Sequence, residues 1–264
     1  MEEKGQFGLV LSGGGARGIA HIGAIQALEE HGLYPDLIAG ASAGAIVGTL
    51  YASGMSPKDM LDFVREISLF KIFKPELPYA GLVKLTYLKN RILEVVPEDT
   101  FEALERKLLV ATSNLNTGKC VLFESGSLSK AVVASSSIPL LFKPMRIEDQ
   151  LYVDGGLLNN LPVDGLKERA GRVFAVNVMP DEVVSTQSIN SVFGIAMRAF
   201  ELSIIANTRP QLQAADWVVQ PHGMREYTIF QLNKYQEIFE RGYEAAQKVL
   251  EQSELTSSTG KRSV

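Results

Sequence analysis

Short apolar runs alternate with helix-like periodicity along most of this chain. The first apolar run covers residues 7–12, and apolar residues at helical spacing follow it over residues 19–31. A second run begins at Leu37 and leads into another helical pattern that reaches about Leu50. Continuous apolar runs are typical of parallel strands that are buried on both faces. The order strand, helix, strand, helix therefore predicts a βαβ unit at the start of an α/β fold.

The alternation continues to the end of the chain. Three further runs predict strands at residues 107–113, 173–178 and 217–220, and two hairpins are predicted at 107–123 and 145–153. Helical spacing predicts helices over residues 57–67, 128–137, 189–207 and 232–250. We expect one three-layer α/β/α domain over residues 1–252, with a mostly parallel central sheet. Residues 253–264 are polar, and we expect them to form a tail.

Composition narrows the classes of protein that this chain can represent. Of 264 residues, 46% are hydrophobic and 21% are charged, which is enough to bury a substantial core. The net charge of −4 argues against a nucleic-acid partner, which needs a basic surface. The single cysteine, Cys120, excludes an internal disulfide, and residues 1–6 lack the apolar core of a signal peptide. We expect a cytoplasmic protein that makes peripheral contact with a membrane surface.

Residues 65–91 differ from the rest of the chain. They contain six basic and two acidic residues, together with many large apolar side chains and an irregular pattern after residue 69. One interpretation is an ordinary excursion over the core. The other is a lid or an interfacial patch that lies over an active-site cleft and meets an anionic membrane. The sequence leaves both interpretations open.

The second apolar run ends in a G-x-S-x-G pattern at residues 40–44, with Ser42 at its centre. This pattern is typical of a nucleophile elbow, where a strained turn between a strand and a helix exposes a serine hydroxyl. The flanking glycines leave room for the strand and the helix to approach, and the helix N-terminus favours negative charge near the serine. The alternative is a turn of small residues that only lets a helix pack closely on the sheet.

The glycine-rich loop at residues 13–18 fits two kinds of site. Its G-x-G-x-x-G spacing matches the dinucleotide fingerprint, but that site needs an acidic residue at the end of the second strand. Here Asp36 precedes that strand, and Ser42 follows it. The other use is an oxyanion hole, in which backbone amides contribute roughly 3–4 kcal/mol per donor to transition-state binding. The loop and Ser42 would then lie at the same edge of the sheet.

A serine nucleophile needs a base, and the chain has three histidines. His21 lies within the first predicted helix and His31 at its end, whereas His222 follows the last predicted strand. Asp154 is the better candidate, because it directly follows an apolar segment and precedes two glycines. The alternative for Asp154 is an Asp-Gly turn that joins two strands. Spacing by itself favours this turn.

The ordered motifs at residues 12–18, 40–44 and 154–156 resemble those of the patatin-like phospholipase family. The segments SSSIP at 135–139 and NNLP at 159–162 are similar to segments of its bacterial members, and the resemblance covers about residues 7–178. It implies a Ser-Asp dyad that works without histidine. Carried onto this chain, it implies Ser42 as nucleophile, Asp154 as base, oxyanion donors at Gly13, Gly14 and Gly15, and support from Arg17.

The same resemblance implies a hydrolase of lipid acyl esters, either a phospholipase, a lysophospholipase or a carboxylesterase. It implies no cofactor and no metal. Arg17 would either brace the glycine loop or attract an anionic head group. Two alternatives remain: a lipid-binding regulatory protein of the same fold with little turnover, and a dinucleotide-binding oxidoreductase, which the position of Asp36 disfavours.

Overall fold

A single eight-stranded sheet forms the centre of the protein. The computed structural model describes residues 7–66, 85–179, 181 and 183–253. The strands are β1 (Phe7–Leu11), β2 (Leu37–Ala41), β3 (Lys107–Asn114), β4 (Lys119–Phe123), β5 (Met145–Ile147), β6 (Gln150–Asp154), β7 (Arg172–Val176) and β8 (Trp217–Val219). Their order in the sheet is β5-β6-β3-β2-β1-β7-β8, with β4 paired to β3.

Five neighbouring strands of this sheet run parallel to one another. They are β3, β2, β1, β7 and β8, whereas β4, β5 and β6 form antiparallel pairs at the β3 side. The prediction of a mostly parallel sheet is therefore confirmed. Both predicted hairpins are also present, one formed by β3 and β4 and the other by β5 and β6.

Helices cover both faces of the sheet. They are α1 (Ile19–Glu30), α2 (Ala43–Ala52), α3 (Pro57–Glu66), α4 (Thr86–Val95), α5 (Leu128–Ser135), α6 (Asp164–Lys167), α7 (Val192–Ala214) and α8 (Tyr235–Gln252). Alternate residues of β1 enter different clusters: Leu9 and Leu11 pack in the larger core, and Val10 packs in the smaller one. This period of two places apolar side chains on both faces, as a three-layer α/β/α fold requires.

Three helices differ from the sequence predictions, and one of them is the four-residue helix α6, which was not predicted. Helix α7 begins at Val192 and ends at Ala214, so it continues through Pro210, where the pattern predicted that it had already ended. Helix α4 was not predicted, because the irregular segment reached its first two residues and no element was assigned to the rest. Most of that segment, residues 67–84, lies outside the described residues. At its described ends, Arg91 pairs with Glu66 and lies 4.4 Å from the centre of the Phe63 ring.

Candidate active site

Ser42 occupies the turn between β2 and α2 in a strained backbone conformation. Its φ is 51° and its ψ is −119°, a combination that side-chain-bearing residues rarely adopt. The neighbouring glycines are required by close contacts. A Cβ atom added to Gly44 would lie 2.1 Å from the carbonyl oxygen of Leu11, and one added to Gly40 would lie 2.5 Å from the backbone of Gly44. The turn therefore has the conformation of a nucleophile elbow.

A buried serine on α5 holds this turn in place. The Ser42 amide donates a hydrogen bond of 2.8 Å to the Ser135 hydroxyl, which in turn donates one of 2.6 Å to the carbonyl oxygen of Ala111. Ser135 thereby links the elbow to β3. Sequence reasoning did not assign this role, although Ser135 begins the SSSIP segment.

Asp154, the last residue of β6, lies beside Ser42. Its carboxyl group is buried and hydrogen-bonds to the Ser42 side chain, and its Oδ1 atom accepts a 2.8 Å hydrogen bond from the Gly156 amide. Burial raises the pKa of Asp154 to about 7, although both hydrogen bonds favour the charged form. A carboxyl group with this pKa is a stronger base than an aspartate in water.

Strand β3 explains why two residues so distant in sequence are neighbours. Ala41, which precedes Ser42, pairs with Ala111 on β3, and Asp154 pairs with the next residue, Thr112. Strand β4 pairs with β3 along one side of β3. On the other side, β2 pairs with β3 as far as Ala111, and β6 pairs with β3 from Thr112 onward. The end of β2 and the end of β6 therefore meet beside β3.

The glycine loop lines the same pocket as Ser42 and Asp154. The Gly13 amide donates to both the carbonyl and the side-chain oxygens of Asn160, at 3.2 and 3.1 Å. Gly13 is therefore engaged within the fold, which differs from the expectation that three amides are available for an oxyanion. Among the described residues, the amides of Gly14 and Gly15 have no hydrogen-bond acceptor.

Asn160 belongs to a network that joins the glycine loop to α7. Its amide donates a 2.9 Å hydrogen bond to the Asn207 side chain, whose Nδ2 atom donates to the carbonyl oxygen of Gly156 at 2.9 Å. The loop that follows Asp154 and the loop that precedes α1 are thus held by one pair of asparagines. Sequence reasoning missed both roles. For Asn160, the NNLP segment was a signal that could have indicated one.

None of the three histidines lines the pocket around Ser42. His21 is buried, its Nε2 atom lies 2.8 Å from the Ser12 carbonyl oxygen, and burial lowers its pKa to about 4. The Nδ1 atom of His31 lies 2.8 Å from the carbonyl oxygen of Ala27, at the end of α1. His222 is exposed. Two carboxyl side chains, those of Asp154 and Glu201, line this pocket, and Asp154 is the one that interacts with the Ser42 side chain.

Arg17 is buried beneath the glycine loop. Its Nε atom donates hydrogen bonds of 2.9 Å to the carbonyl oxygens of Met224 and Tyr227. These contacts hold the segment after β8 against the loop, as expected of a residue that braces the loop. Within the described part of the chain, no three His, Cys, Asp or Glu side chains are grouped as metal ligands would be.

Two recesses meet at Ser42. The smaller has a volume of about 40 Å³ and is closed on one side by Met197, Phe200 and Ile204 of α7. The larger has a volume of about 150 Å³ and has a mostly apolar lining that includes Val47 and Phe142. Both recesses contain Ser42 in their lining.

Comparison with known proteins identifies the family. Residues 9–167 match the family model described as patatin-like phospholipase. This chain belongs to the patatin-like phospholipase family. The matched region contains the glycine loop, the elbow and Asp154, so the resemblance inferred from the motifs is confirmed.

Named relatives within this family match only part of their own length. A stretch of 175 residues, 65% of this chain, is 36% identical to an uncharacterised NTE family protein of Mycobacterium tuberculosis and covers 30% of that protein. A stretch of 178 residues, again 65% of this chain, is 34% identical to lysophospholipase NTE1 of Lodderomyces elongisporus and covers 12% of it. The match therefore spans less than a third of either relative.

The fold is also similar to a solved structure. The crystal structure of VipD from Legionella pneumophila aligns with a TM-score of 0.62 over 95% of this chain and 67% of that chain, at 16% sequence identity. This similarity confirms the patatin-like fold of the chain. No helix in the described ranges combines the length and the apolar composition that crossing a bilayer requires.

Proposed function

We propose that this patatin-like protein hydrolyses acyl esters of lipids, with Ser42 as the nucleophile and Asp154 as the base. One observation carries the proposal. The hydroxyl of a strained elbow serine is hydrogen-bonded to a buried carboxyl group whose pKa lies near 7. An aspartate in water, with a pKa of about 3.9, is a much weaker base. Family membership and the lysophospholipase relative support a lipid ester as the substrate.

The first step transfers the acyl group to the enzyme. The Ser42 oxygen attacks the ester carbonyl carbon while its proton passes to the Asp154 carboxylate. The carbonyl oxygen becomes an oxyanion, and the amides of Gly14 and Gly15 donate hydrogen bonds to it. The intermediate then collapses, the bond to the alcohol breaks, and Asp154 returns the proton to the leaving alcohol oxygen. The acyl group remains bound to Ser42 as an ester.

The second step releases the acid. Asp154 accepts a proton from a water molecule as the water oxygen attacks the acyl carbonyl carbon, and the same amides bind the second oxyanion. When the bond to Ser42 breaks, Asp154 returns this proton to the serine oxygen. The products are a carboxylic acid and the original enzyme. The chain's own residues supply every proton transfer, so the mechanism needs no metal and no cofactor.

The larger recess suits the apolar acyl chain of a lipid ester. It has a volume of about 150 Å³, and its lining includes Ile46, Val47 and Leu88. Transferring an alkyl chain from water into such a recess is favourable by about 0.8 kcal/mol for each buried CH₂ group. We therefore infer that the acyl chain lies in this recess, with its carbonyl group at Ser42 and the alcohol portion in the smaller recess.

Arg17 has a supporting role in this proposal. Its buried guanidinium group is bonded to two carbonyl oxygens, which suits a brace better than a head-group site. We also propose that the enzyme works in the cytoplasm and meets its lipid substrate by peripheral contact with a membrane.

The proposal is tested with a panel of acyl esters, lysophospholipids and diacyl phospholipids, assayed with the wild-type protein and with Ser42→Ala. A fluorophosphonate probe is added in parallel, because it labels competent serine nucleophiles. We expect lipid ester turnover and labelling at Ser42, both lost in the variant. Lipid binding without turnover or labelling would instead identify a lipid-binding regulatory protein. Binding of a nicotinamide or flavin nucleotide would identify the oxidoreductase alternative.

A further inference from the structure

The outer face of α7 is an exposed apolar stripe, which we define as Val192, Ile195, Ala199, Leu202 and Ala206. These residues are spaced by three and four positions, so they lie along one side of the helix. The large members are well exposed, at 86% for Val192, 58% for Ile195 and 50% for Leu202. Exposed apolar side chains grouped in this way mark a surface that contacts a partner or a membrane.

The inner face of the same helix forms one wall of the candidate active site. Phe200 and Glu201 line the recess that contains Ser42, and their chain neighbours Ala199 and Leu202 belong to the outer stripe. The helix is anchored from its inner side, where the Ser203 hydroxyl donates a 2.7 Å hydrogen bond to the carbonyl oxygen of Leu157. The outer stripe and the catalytic recess are therefore separated by the width of one helix.

The chain that leads into α7 is also uncharged. Val183, in this stretch, is 95% exposed. Residues 183–197 include no charged side chain, in a chain of which 21% of residues are charged. Moving a charged group out of water is costly, whereas Ser, Thr, Asn and Gln side chains remain hydrogen-bonded among lipid head groups. The uncharged segment thus suits an interface between water and lipid.

We propose that the outer stripe of α7 docks on a lipid surface and places the catalytic recess beside it. The identity of the lipid as substrate rests on the function proposed above. A second copy of this chain is the other occupant that an apolar stripe accommodates. A lipid surface is favoured because the stripe adjoins the recess where an acyl ester would react, so that docking shortens the path of the substrate.

This surface differs from the basic segment at residues 65–91. Attraction between basic side chains and anionic lipids weakens as salt concentration rises. Apolar insertion instead depends on buried apolar area and persists on neutral vesicles in high salt. On neutral phosphatidylcholine vesicles, apolar insertion therefore predicts binding, whereas attraction between basic side chains and anionic lipids predicts none.

The test compares two proteins that cannot consume the vesicles, Ser42→Ala and the same protein carrying Val192→Ser, Ile195→Ser and Leu202→Ser. Sedimentation with phosphatidylcholine vesicles in low and high salt measures partitioning. We expect Ser42→Ala to bind at both salt concentrations, and the multiple variant to partition roughly 10- to 100-fold more weakly. The matched control is Tyr34→Ser, which removes a 57% exposed side chain that lies before β2, at the other end of this strand from Ser42.

A second measurement uses active protein. The three stripe substitutions, made with Ser42 intact, should leave turnover of a water-soluble short-chain ester unchanged and should lower turnover of lipid in vesicles. Equal vesicle binding with and without the stripe substitutions would overturn the proposal. So would a change from dimer to monomer in analytical ultracentrifugation with vesicle binding unchanged, because the stripe would then contact a second copy. Failure of the proposed hydrolase activity would abolish ester turnover in every protein but would leave the vesicle comparison intact.

Discussion

The Ser42 side chain and the buried carboxyl group of Asp154 lie together in a pocket that none of the three histidines lines. Ser42 is held at a φ of 51° by the elbow, and Asp154 is held at the end of β6. A base must lie close to the proton that it removes, and these two side chains line the same pocket. The predictions below follow from this relationship and from the contacts that maintain it.

The first prediction concerns the nucleophile. Ser42→Ala should lower ester turnover by roughly three to six orders of magnitude, because the attacking oxygen is lost. Steady-state kinetics measure the loss, and thermal unfolding monitored by circular dichroism verifies the fold. Ser53→Ala is the matched control, because it removes a hydroxyl from the other end of α2, where Ser53 bonds to the Leu50 carbonyl oxygen. Near-normal turnover in folded Ser42→Ala protein would refute the mechanism.

The second prediction separates a dyad from a histidine-dependent triad. Asp154→Asn should lose nearly all turnover, because an amide oxygen is too weak a base and cannot return a proton. His222→Asn should keep most of it, because His222 is exposed and lies outside the pocket. His21 is unsuitable for this test, since its ring contacts the Ser12 carbonyl oxygen next to the glycine loop. An inactive His222→Asn beside an active Asp154→Asn would reverse the assignment.

The third prediction concerns the pH dependence of activity. Asp154 acts as a base only when it is ionised, and its pKa is raised to about 7 by burial. The value of kcat/KM for a soluble ester should therefore fall about tenfold per pH unit below pH 7 and level off above it. The substrate must carry no titratable group in this range. A rate that stays constant down to pH 5 would show that the base has an ordinary carboxyl pKa.

The fourth prediction concerns the pH dependence of stability. Because the folded-state pKa of Asp154 is raised from 3.8 to about 7, the folded state binds the proton more tightly than the unfolded state does. The contribution of Asp154 to the free energy of unfolding is fully present below pH 4. It decreases by up to roughly 4 kcal/mol as the pH rises to about 7. Asp154→Asn should thus raise the melting temperature more at pH 8 than at pH 4. An equal effect at both values would argue against the raised pKa.

The fifth prediction concerns the serine that holds the elbow. Ser135→Ala leaves the Ser42 amide without its acceptor, and we expect a roughly 10- to 100-fold loss of kcat with little change in KM for a soluble ester. Fluorophosphonate labelling of Ser42 should slow to a similar extent. Ser137→Ala is the control, because its hydroxyl bonds to the Val133 carbonyl oxygen of α5, makes no bond to the elbow and lines neither recess. Equal effects of the two substitutions would assign Ser135 a purely structural role.

The sequence by itself determined the local structures on which the site is built. An apolar run, a glycine pair around Ser42 and a helical pattern are all local signals, and the elbow they predict is present because strain and close contact leave few alternatives. The parallel strands were likewise readable, because burial on both faces produces continuous apolar runs. The ordered motifs also sufficed to identify the family.

Only the tertiary structure decided which of these local pieces meet. Asp154 reaches Ser42 because β6 continues the edge of β3 that β2 leaves, and strand pairing at that distance leaves no trace in residue spacing. The Gly13 amide was predicted as an oxyanion donor, yet the chain folds so that Asn160 binds it. Helix α7 continued through Pro210 because packing against the core outweighed a local helix breaker. Pairing, hydrogen-bond partners and packing depend on residues distant in the chain, and so no local pattern encodes them.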